Sequence, residues 1–165
     1  MIVVLMGVSG SGKTTIGTLL AKREGTVFAD ADDYHPAANK AKMASGQPLN
    51  DDDRQPWLET LNRLMLGWYE SGKGGVLACS ALKEKYRETL AGGMPVGAVQ
   101  FVLLDGSKEM IAERLAERKH EFMNAKLLDS QFATLEKPHD ALCVVNDRAP
   151  DVVVDEILQE VGSRK

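Results

Sequence analysis

The first residues whose types and spacing suggest chemistry form a glycine-rich run that ends in a lysine and a threonine. Residues 7–14 follow the pattern G-x-x-x-x-G-K-[ST]. Glycines in such a loop let successive backbone N–H groups point at phosphate oxygens, and a following helix adds the positive end of its dipole. Lys13 would bridge the β- and γ-phosphates of a nucleotide, and the Thr14 hydroxyl would ligate Mg²⁺. The run therefore predicts a site for nucleotide phosphates.

Two acidic residues, Asp30 and Asp32, follow the next apolar run along the chain. They are two positions apart, so they lie on one side of an extended strand. In an open α/β sheet, ligands bind at the carboxyl ends of the strands, where these residues would lie. One carboxylate can hold a Mg²⁺-bound water while the other accepts a proton from an attacking hydroxyl. An isolated D-x-D is more often a solvated turn, but beside a phosphate loop we interpret the pair as catalytic.

Three cationic residues could hold an anionic substrate. Lys83 and Arg87 are four apart and would share one face of a helix. Two cations at a strand end can bind a carboxylate or the phosphate in transfer. Arg54 falls one turn into another predicted helix, where it could equally pair with Asp51 or Glu59. Solvated helix faces are the alternative interpretation for all three.

Arg114 and Arg118 form a second cationic pair with a spacing of four. A basic segment after the fourth strand could close over the nucleotide and neutralise charge as the phosphoryl group moves. The alternative is an exposed helix end, where cations are favoured by the helix dipole.

The elements that must position these residues alternate along the whole chain. Five short apolar runs are typical of strands buried on both faces of a sheet, and segments with helical spacing separate them. This alternation predicts an α/β fold with a parallel sheet. Asn50 is predicted to cap the helix that follows it. The predicted strands are Ile2–Met6, Val27–Ala29, Val76–Cys79, Ala98–Leu104 and Leu142–Val145.

Composition limits the class of protein. The 165 residues suit one domain, and 44% hydrophobic with 27% charged residues are ordinary globular values. The net charge of −4 argues against a nucleic-acid partner, and no apolar run is long enough for a membrane helix. Cys79 and Cys143 have no metal-binding spacing, so we expect two buried reduced thiols in a cytoplasmic protein. The three histidines, which lack metal-ligand and triad spacing, are His35, His120 and His139.

Longer strings are more specific than the phosphate loop, which many nucleoside triphosphatases share. They are DADDYHP at 30–36, PLNDDDRQPWL at 48–58, CSALK at 79–83, and SQF with TLE between 130 and 136. In these strings, and in their order, the chain resembles the gluconokinase family of P-loop kinases over nearly its whole length. After Arg118 it departs from the family's common pattern, with Glu121 in place of a histidine and Asn124 in place of a proline.

The resemblance implies a three-layer P-loop kinase fold, like that of nucleoside monophosphate kinases, as one domain over 1–165 with a lid at about 118–136. It implies a homodimer that transfers the ATP γ-phosphate to the 6-hydroxyl of D-gluconate. Alternatives are a P-loop kinase for another small acceptor, such as shikimate or a nucleoside monophosphate, and an ATP-binding module without catalysis.

The resemblance also implies a role for each site residue. Lys13, Asp30 and Asp32 would be catalytic, and Thr14, with Asp30 through a water, would hold Mg²⁺. The gluconate would lie among Asp32, His35, Arg54, Lys83 and Arg87. ATP would be bound by Gly7, Val8, Ser9, Gly10, Ser11, Gly12, Lys13, Thr14, Thr15, Arg114 and Arg118.

Overall fold

Five parallel strands form a single sheet in the order β2-β3-β1-β4-β5. The structure, a computed structural model, describes residues 1–8, 10–81, 83–106, 110–111, 113, 131–136 and 141–163. The predicted α/β class is confirmed, and the strands begin and end within one residue of the predicted positions. The strands are β1 Ile2–Met6, β2 Phe28–Asp30, β3 Gly75–Ala78, β4 Val99–Asp105 and β5 Leu142–Val145.

Helices connect the strands, and one of them, α3 (Asp51–Ser71), begins at a side-chain cap that the sequence predicts. Within α3, the Asn50 side chain accepts a hydrogen bond from the Asp53 N–H at 2.8 Å, and the Asp53 carboxylate accepts one from the Asn50 N–H at 2.9 Å. This reciprocal cap confirms the predicted helix start. The helices are α1 Lys13–Glu24, α2 Ala37–Ala44, α3 Asp51–Ser71, α4 Glu84–Ala91 and α5 Pro150–Ser163, with a 3-10 turn at Ala31–Tyr34.

The sheet is covered by helices on both faces, which gives three layers. On one face α3 and α4 contribute Leu61 and Leu90 to a cluster with Leu77 of β3. On the other face α1 and α5 contribute Leu20 and Ile157 to a second cluster. Each side chain of this size stabilises the fold by about 1.5–3 kcal/mol when it is fully buried. Two apolar interfaces therefore hold the layers together.

The order of the strands places the predicted site residues at one edge of the sheet. The chain leaves β1 for β2 and β3 on one side, and it later reaches β4 and β5 on the other side. In open parallel sheets a ligand crevice forms where the direction of winding changes, at the carboxyl ends of the strands. The glycine-rich run follows β1, Asp30 ends β2, and Cys79 follows β3. All three thus meet at this crevice. Asp32 lies in the 3-10 turn after β2, so the prediction that both acids lie on one side of an extended strand is wrong for Asp32.

Cys143 is exposed, so the expectation of two buried thiols is wrong for this residue; Cys79 is buried. β5 pairs only with β4 and lies at the edge of the sheet. Its side chains alternate: Leu142 and Val144 contact the cluster of α1 and α5, whereas Cys143 and Val145 are exposed.

Among the described residues, no helix combines the length and apolar character that crossing a lipid bilayer requires.

Candidate active site

The glycine-rich run curls between β1 and α1 through backbone angles that favour glycine. Gly7, Gly10 and Gly12 have φ values of 146°, 84° and 97°. A Cβ on Gly7 would come within 2.7 Å of Ser11 Oγ and 2.9 Å of the Leu104 carbonyl oxygen, so a side chain does not fit there. Ser11 is buried, and its hydroxyl has no hydrogen-bond partner among the residues that the structure describes. Ser9 lies outside the described residues.

Lys13 is the first residue of α1, and its side chain folds back over the loop. The ammonium Nζ donates to the Gly7 carbonyl oxygen at 2.8 Å and to the Val8 carbonyl oxygen at 3.0 Å. Burial lowers the pKa of Lys13, and nearby groups, Asp32 first, oppose that shift. An ammonium group at this position attracts phosphate more strongly than it would in open water, because the loop around it is desolvated.

The acidic pair lies beside the start of α1. The Thr14 hydroxyl donates to Asp30 Oδ2 at 3.4 Å, and Asp30 Oδ1 accepts from the Asp32 N–H at 3.0 Å. A hydroxyl and a carboxylate so close together are oxygen donors of the kind Mg²⁺ prefers, with phosphates and waters completing its coordination. In the described part of the chain, no cluster of three or more His, Cys, Asp or Glu side chains could hold a metal alone. The donor set thus fits a nucleotide-bound magnesium ion.

Asp32 carries the free carboxylate of the pair. Its side chain is 85% exposed toward the crevice. Although the side chain itself is exposed, neighbouring protein atoms displace part of the water around it, which raises the pKa of Asp32; the negative charge of Asp30 adds to the rise, and Lys13 opposes it. A carboxylate with a raised pKa accepts a proton more readily than an ordinary aspartate, which suits a general base.

His35 lies next to Asp32 and is held in a fixed plane. Its ring stacks on the Trp57 ring with centroids 4.3 Å apart and planes 13° from parallel. Trp57 is fixed in turn because its Nε1 donates to the Ala31 carbonyl oxygen at 2.7 Å. His35 Nε2 is 3.9 Å from Asp32 Oδ1. Burial lowers the pKa of His35, and the charges of Arg54 and Lys40 add to this effect, so the ring is neutral near pH 7.

A basic cluster on the far side of His35 joins the start of α3 to the start of α4. We define it as Arg54, Lys83 and Lys85 around Asp51 and Tyr86. Asp51 accepts hydrogen bonds from Lys83 at 3.3 Å, from Lys85 and from the Tyr86 hydroxyl, and these contacts hold its pKa well below the ordinary range. Arg54 donates to the Tyr86 hydroxyl at 3.0 Å. One acid among three cations leaves the cluster with an excess of positive charge.

Arg87 faces the protein interior. It is 7% exposed, and its guanidinium donates to the Ala81 carbonyl oxygen and to the Glu136 carbonyl oxygen, both at 2.8 Å. Ala81 has a φ of 43°, a strained value for a residue with a side chain. The Glu136 carboxylate accepts from the Glu84 N–H at 2.8 Å at the start of α4. Arg87 therefore connects the loop after β3 to residues 131–136, whereas the Lys83 ammonium donates to Asp51.

Comparison with known proteins agrees with this arrangement. Residues 2–138 match the AAA domain family. The gluconokinase of Gluconobacter oxydans is 47% identical over 160 residues, which cover 94% of this chain and 88% of that protein. The thermoresistant gluconokinase of Escherichia coli is 40% identical over 168 residues, covering 99% and 95%. A crystal structure of a gluconokinase from Sinorhizobium meliloti superposes with a TM-score of 0.88 at 38% identity, covering 98% and 91%.

The chain belongs to the gluconokinase family of P-loop kinases. The resemblance in the sequence and the three-layer P-loop kinase fold are both confirmed.

The last residues of the segment predicted to form a lid are among the described residues. Arg114, Arg118 and residues 118–130 lie outside the described residues. Residues 131–134 form a helical turn, and Phe132 and Leu135 pack against Val8 of the phosphate loop and Ile111. The carboxyl end of the predicted lid therefore rests directly on the phosphate loop.

Sequence reasoning gave no site role to four residues that organise the site: Asn39, Asp51, Tyr86 and Glu136. It named Asp51 as a possible partner of Arg54. Asp51 and Tyr86 stand within or beside family strings, but their contact spans 35 residues of sequence. Glu136 acts through its backbone carbonyl as well as its carboxylate. Asn39 carried no motif at all. Only the proximity of their helices in the fold indicates what these residues do.

Proposed function

We propose that this chain is a gluconokinase that transfers the γ-phosphoryl group of ATP to the 6-hydroxyl of D-gluconate, giving 6-phospho-D-gluconate and ADP. The observation that carries the proposal is a continuous row of groups. The Thr14 hydroxyl contacts Asp30, and the Asp30 carboxylate accepts a hydrogen bond from the Asp32 N–H. Asp32 lies 3.9 Å from His35, and the positive charge of Arg54 helps to lower the pKa of His35. The row runs from the phosphate loop to the basic cluster. It matches a reaction that joins a nucleotide to an anionic acceptor.

On the nucleotide side, backbone N–H groups of the loop and the Lys13 ammonium would bind the β- and γ-phosphates. Ser9 and Thr15 belong to the same proposed contact set. Thr14, and Asp30 through a water, would hold Mg²⁺, which when bound neutralises phosphate charge and orients the γ-phosphoryl group. Arg114 and Arg118 would approach the nucleotide from the lid, which we place at about 118–136 of a single domain spanning 1–165.

On the acceptor side, Asp32 would take the proton from the 6-hydroxyl as that oxygen attacks phosphorus. The raised pKa of Asp32 makes its carboxylate a better proton acceptor for this step. Arg54 and Lys83 would bind the gluconate carboxylate, because charge-assisted hydrogen bonds to a carboxylate are about twice as strong as neutral ones. His35 would contact an acceptor hydroxyl. Arg87, predicted to join this seat, would support it through the Ala81 and Glu136 carbonyls.

A coupled assay of ADP release tests the proposal. The wild type should release ADP with ATP, Mg²⁺ and D-gluconate, and much less without an acceptor. ³¹P and ¹³C NMR of the product should place the phosphate on carbon 6. Shikimate and nucleoside monophosphates in the same assay separate the other small-acceptor kinases. Faster turnover with one of them, or ADP release that no acceptor stimulates, would reject gluconokinase activity.

We further propose that the enzyme is a cytoplasmic homodimer. Family membership supports the dimer, and the negative net charge with no long apolar run supports the compartment. Light scattering on the purified chain should give twice the 18.0 kDa of one chain. Fractionation of cells that express the protein at its natural level should recover it with cytosolic markers.

A further inference from the structure

His35 is fixed on one side by an asparagine that the proposed reaction does not use. Asn39 lies in α2, is 4% exposed, and contacts both His35 and α3. Its side-chain Nδ2 is 2.8 Å from the Asp53 carbonyl oxygen and 3.3 Å from His35 Nδ1. A backbone carbonyl can only accept a hydrogen bond, so the atom facing it is the amide nitrogen and not the amide oxygen.

The orientation of the amide determines where the proton of His35 lies. The nitrogen of Asn39 carries two hydrogens; one goes to the Asp53 carbonyl and the other points at His35 Nδ1. His35 Nδ1 must then be the bare, accepting nitrogen of a neutral ring. The single ring proton lies on Nε2, the nitrogen that is 3.9 Å from Asp32 Oδ1.

The ring has no equivalent alternative pose. Stacking on Trp57 fixes the plane of the ring. The only other pose that keeps this plane is reached by a half-turn about the Cβ–Cγ bond. A half-turn would place a C–H group against the Asn39 amide and leave an N–H of a buried asparagine without a partner. Such a loss costs about 1–3 kcal/mol. The contacts therefore select both the pose and the tautomer.

We propose that Asn39 is a positioning residue that holds His35 as the Nε2–H tautomer, so that this N–H donates to the acceptor hydroxyl oxygen whose proton Asp32 receives. When two hydrogen bonds of about 2.8 Å meet at one oxygen at a right angle, the two outer heavy atoms are about 4 Å apart. The 3.9 Å between Nε2 and Oδ1 fits one oxygen between them. With a lone pair occupied by Nε2–H, the hydroxyl turns its only proton to Asp32 and keeps its other lone pair for phosphorus. The hydroxyl part of this inference rests on the proposed function; the tautomer does not.

The decisive measurement is ¹⁵N NMR of the ring nitrogens in the wild type near pH 7. Protonated and bare imidazole nitrogens resonate far apart, and the chain has only three histidines. Loss of one set of signals in His35→Gln assigns them. We expect a bare Nδ1 and a protonated Nε2 in His35. A protonated Nδ1 would overturn the proposal, whether or not the chain phosphorylates gluconate.

Asn39→Asp tests the asparagine with little change of shape. A carboxylate accepts from Nδ1, so the proton should move to Nδ1, and kcat with gluconate should fall about tenfold or more while ATP binding is kept. Asn62→Asp is the matched control, since Asn62 Nδ2 also donates to two carbonyls, of Leu90 and Gly92, each at 2.8 Å. It should lose comparable stability with kcat and the His35 tautomer unchanged. A folded Asn39→Asp variant that keeps the wild-type tautomer, or falls in kcat only as much as Asn62→Asp, would overturn the inference.

A second pair of variants is decisive even if Asn39→Asp fails to fold. Glutamine places an amide N–H near the position of His35 Nε2, whereas asparagine places one near Nδ1. His35→Gln should therefore retain roughly tenfold more kcat than His35→Asn. Equal kcat in the two variants contradicts donation from Nε2.

Discussion

The two sides of the site are built in different ways. The phosphate side uses eight consecutive residues, and Lys13 reaches carbonyls only five and six positions before it. The acceptor side uses side chains from the 3-10 turn, α2, α3 and α4. The Lys83–Asp51 and Arg54–Tyr86 contacts there each span 32 residues.

Because of this difference, the two sides control different properties of the enzyme: the phosphate side controls the reaction, and the acceptor side controls the choice of acceptor. A loop made of backbone and one lysine binds what all nucleoside triphosphates share, so it sets the reaction and not the acceptor. A cluster of side chains from separate elements can discriminate among acceptors by charge and hydroxyl position. Substitutions on the phosphate side should therefore reduce kcat for any acceptor, and those of Arg54 and Lys83 in the basic cluster should act on gluconate.

Asp32→Asn should have the largest effect, because Asp32 stands where the two sides meet. The amide keeps the shape but cannot take the hydroxyl proton, so kcat should fall about 10²- to 10⁴-fold. Nucleotide binding, measured by calorimetry, should be nearly unchanged. A variant with wild-type turnover would move the role of base to another group.

Lys13→Ala should lower kcat about 10²- to 10³-fold, because one preorganised cation is lost from the developing phosphate charge. The loss should be similar for gluconate and for any poorer acceptor, which is the mark of the phosphate side. Thermal unfolding should show that the fold persists. Turnover near the wild-type value would contradict the assignment of Lys13.

Lys83→Ala should raise the KM for gluconate about ten- to a hundredfold, because a carboxylate in a partly dry site loses a charged partner. The KM for ATP should hardly change. Lys85→Ala is the matched control: Lys85 binds the same Asp51, but its side chain is 55% exposed against 29% for Lys83. Equal effects on both substrates, or efficient phosphorylation of glucitol by the wild type, would contradict a carboxylate seat.

Arg87→Met distinguishes a structural residue of the acceptor side from a gluconate-binding residue such as Lys83. It should have the smallest direct effect on gluconate binding. The buried Ala81 carbonyl and the partly buried Glu136 carbonyl lose their donor, so the free energy of unfolding should fall by about 1–3 kcal/mol, mostly from the Ala81 carbonyl. Denaturant unfolding measures this loss, and Lys83→Ala should show little of it. A higher KM for gluconate with unchanged stability would instead place Arg87 in the seat itself, as the sequence alone predicts.

Most of the secondary structure could be predicted, because each signal is local. Apolar runs gave the five strands to within one residue, and the Asn50 cap was visible from its neighbours. The prediction for Cys143 failed because a short apolar run does not reveal whether its strand is central or at the edge. Edge position depends on how distant strands pair, and no property of residues 142–145 encodes that.

The sequence by itself determined the phosphate loop, the strand-end acids and the family, since these depend on residue types at short spacing. Only the tertiary structure decided that Arg87 donates to two backbone carbonyls, that Asp51 lies among three cations, and that Asn39 contacts the His35 ring. Helical spacing places two residues on one face of a helix, but it does not say which of the two side chains is buried or what each contacts. The packing of α2, α3 and α4 determines those contacts, because each needs two elements brought together from distant parts of the chain.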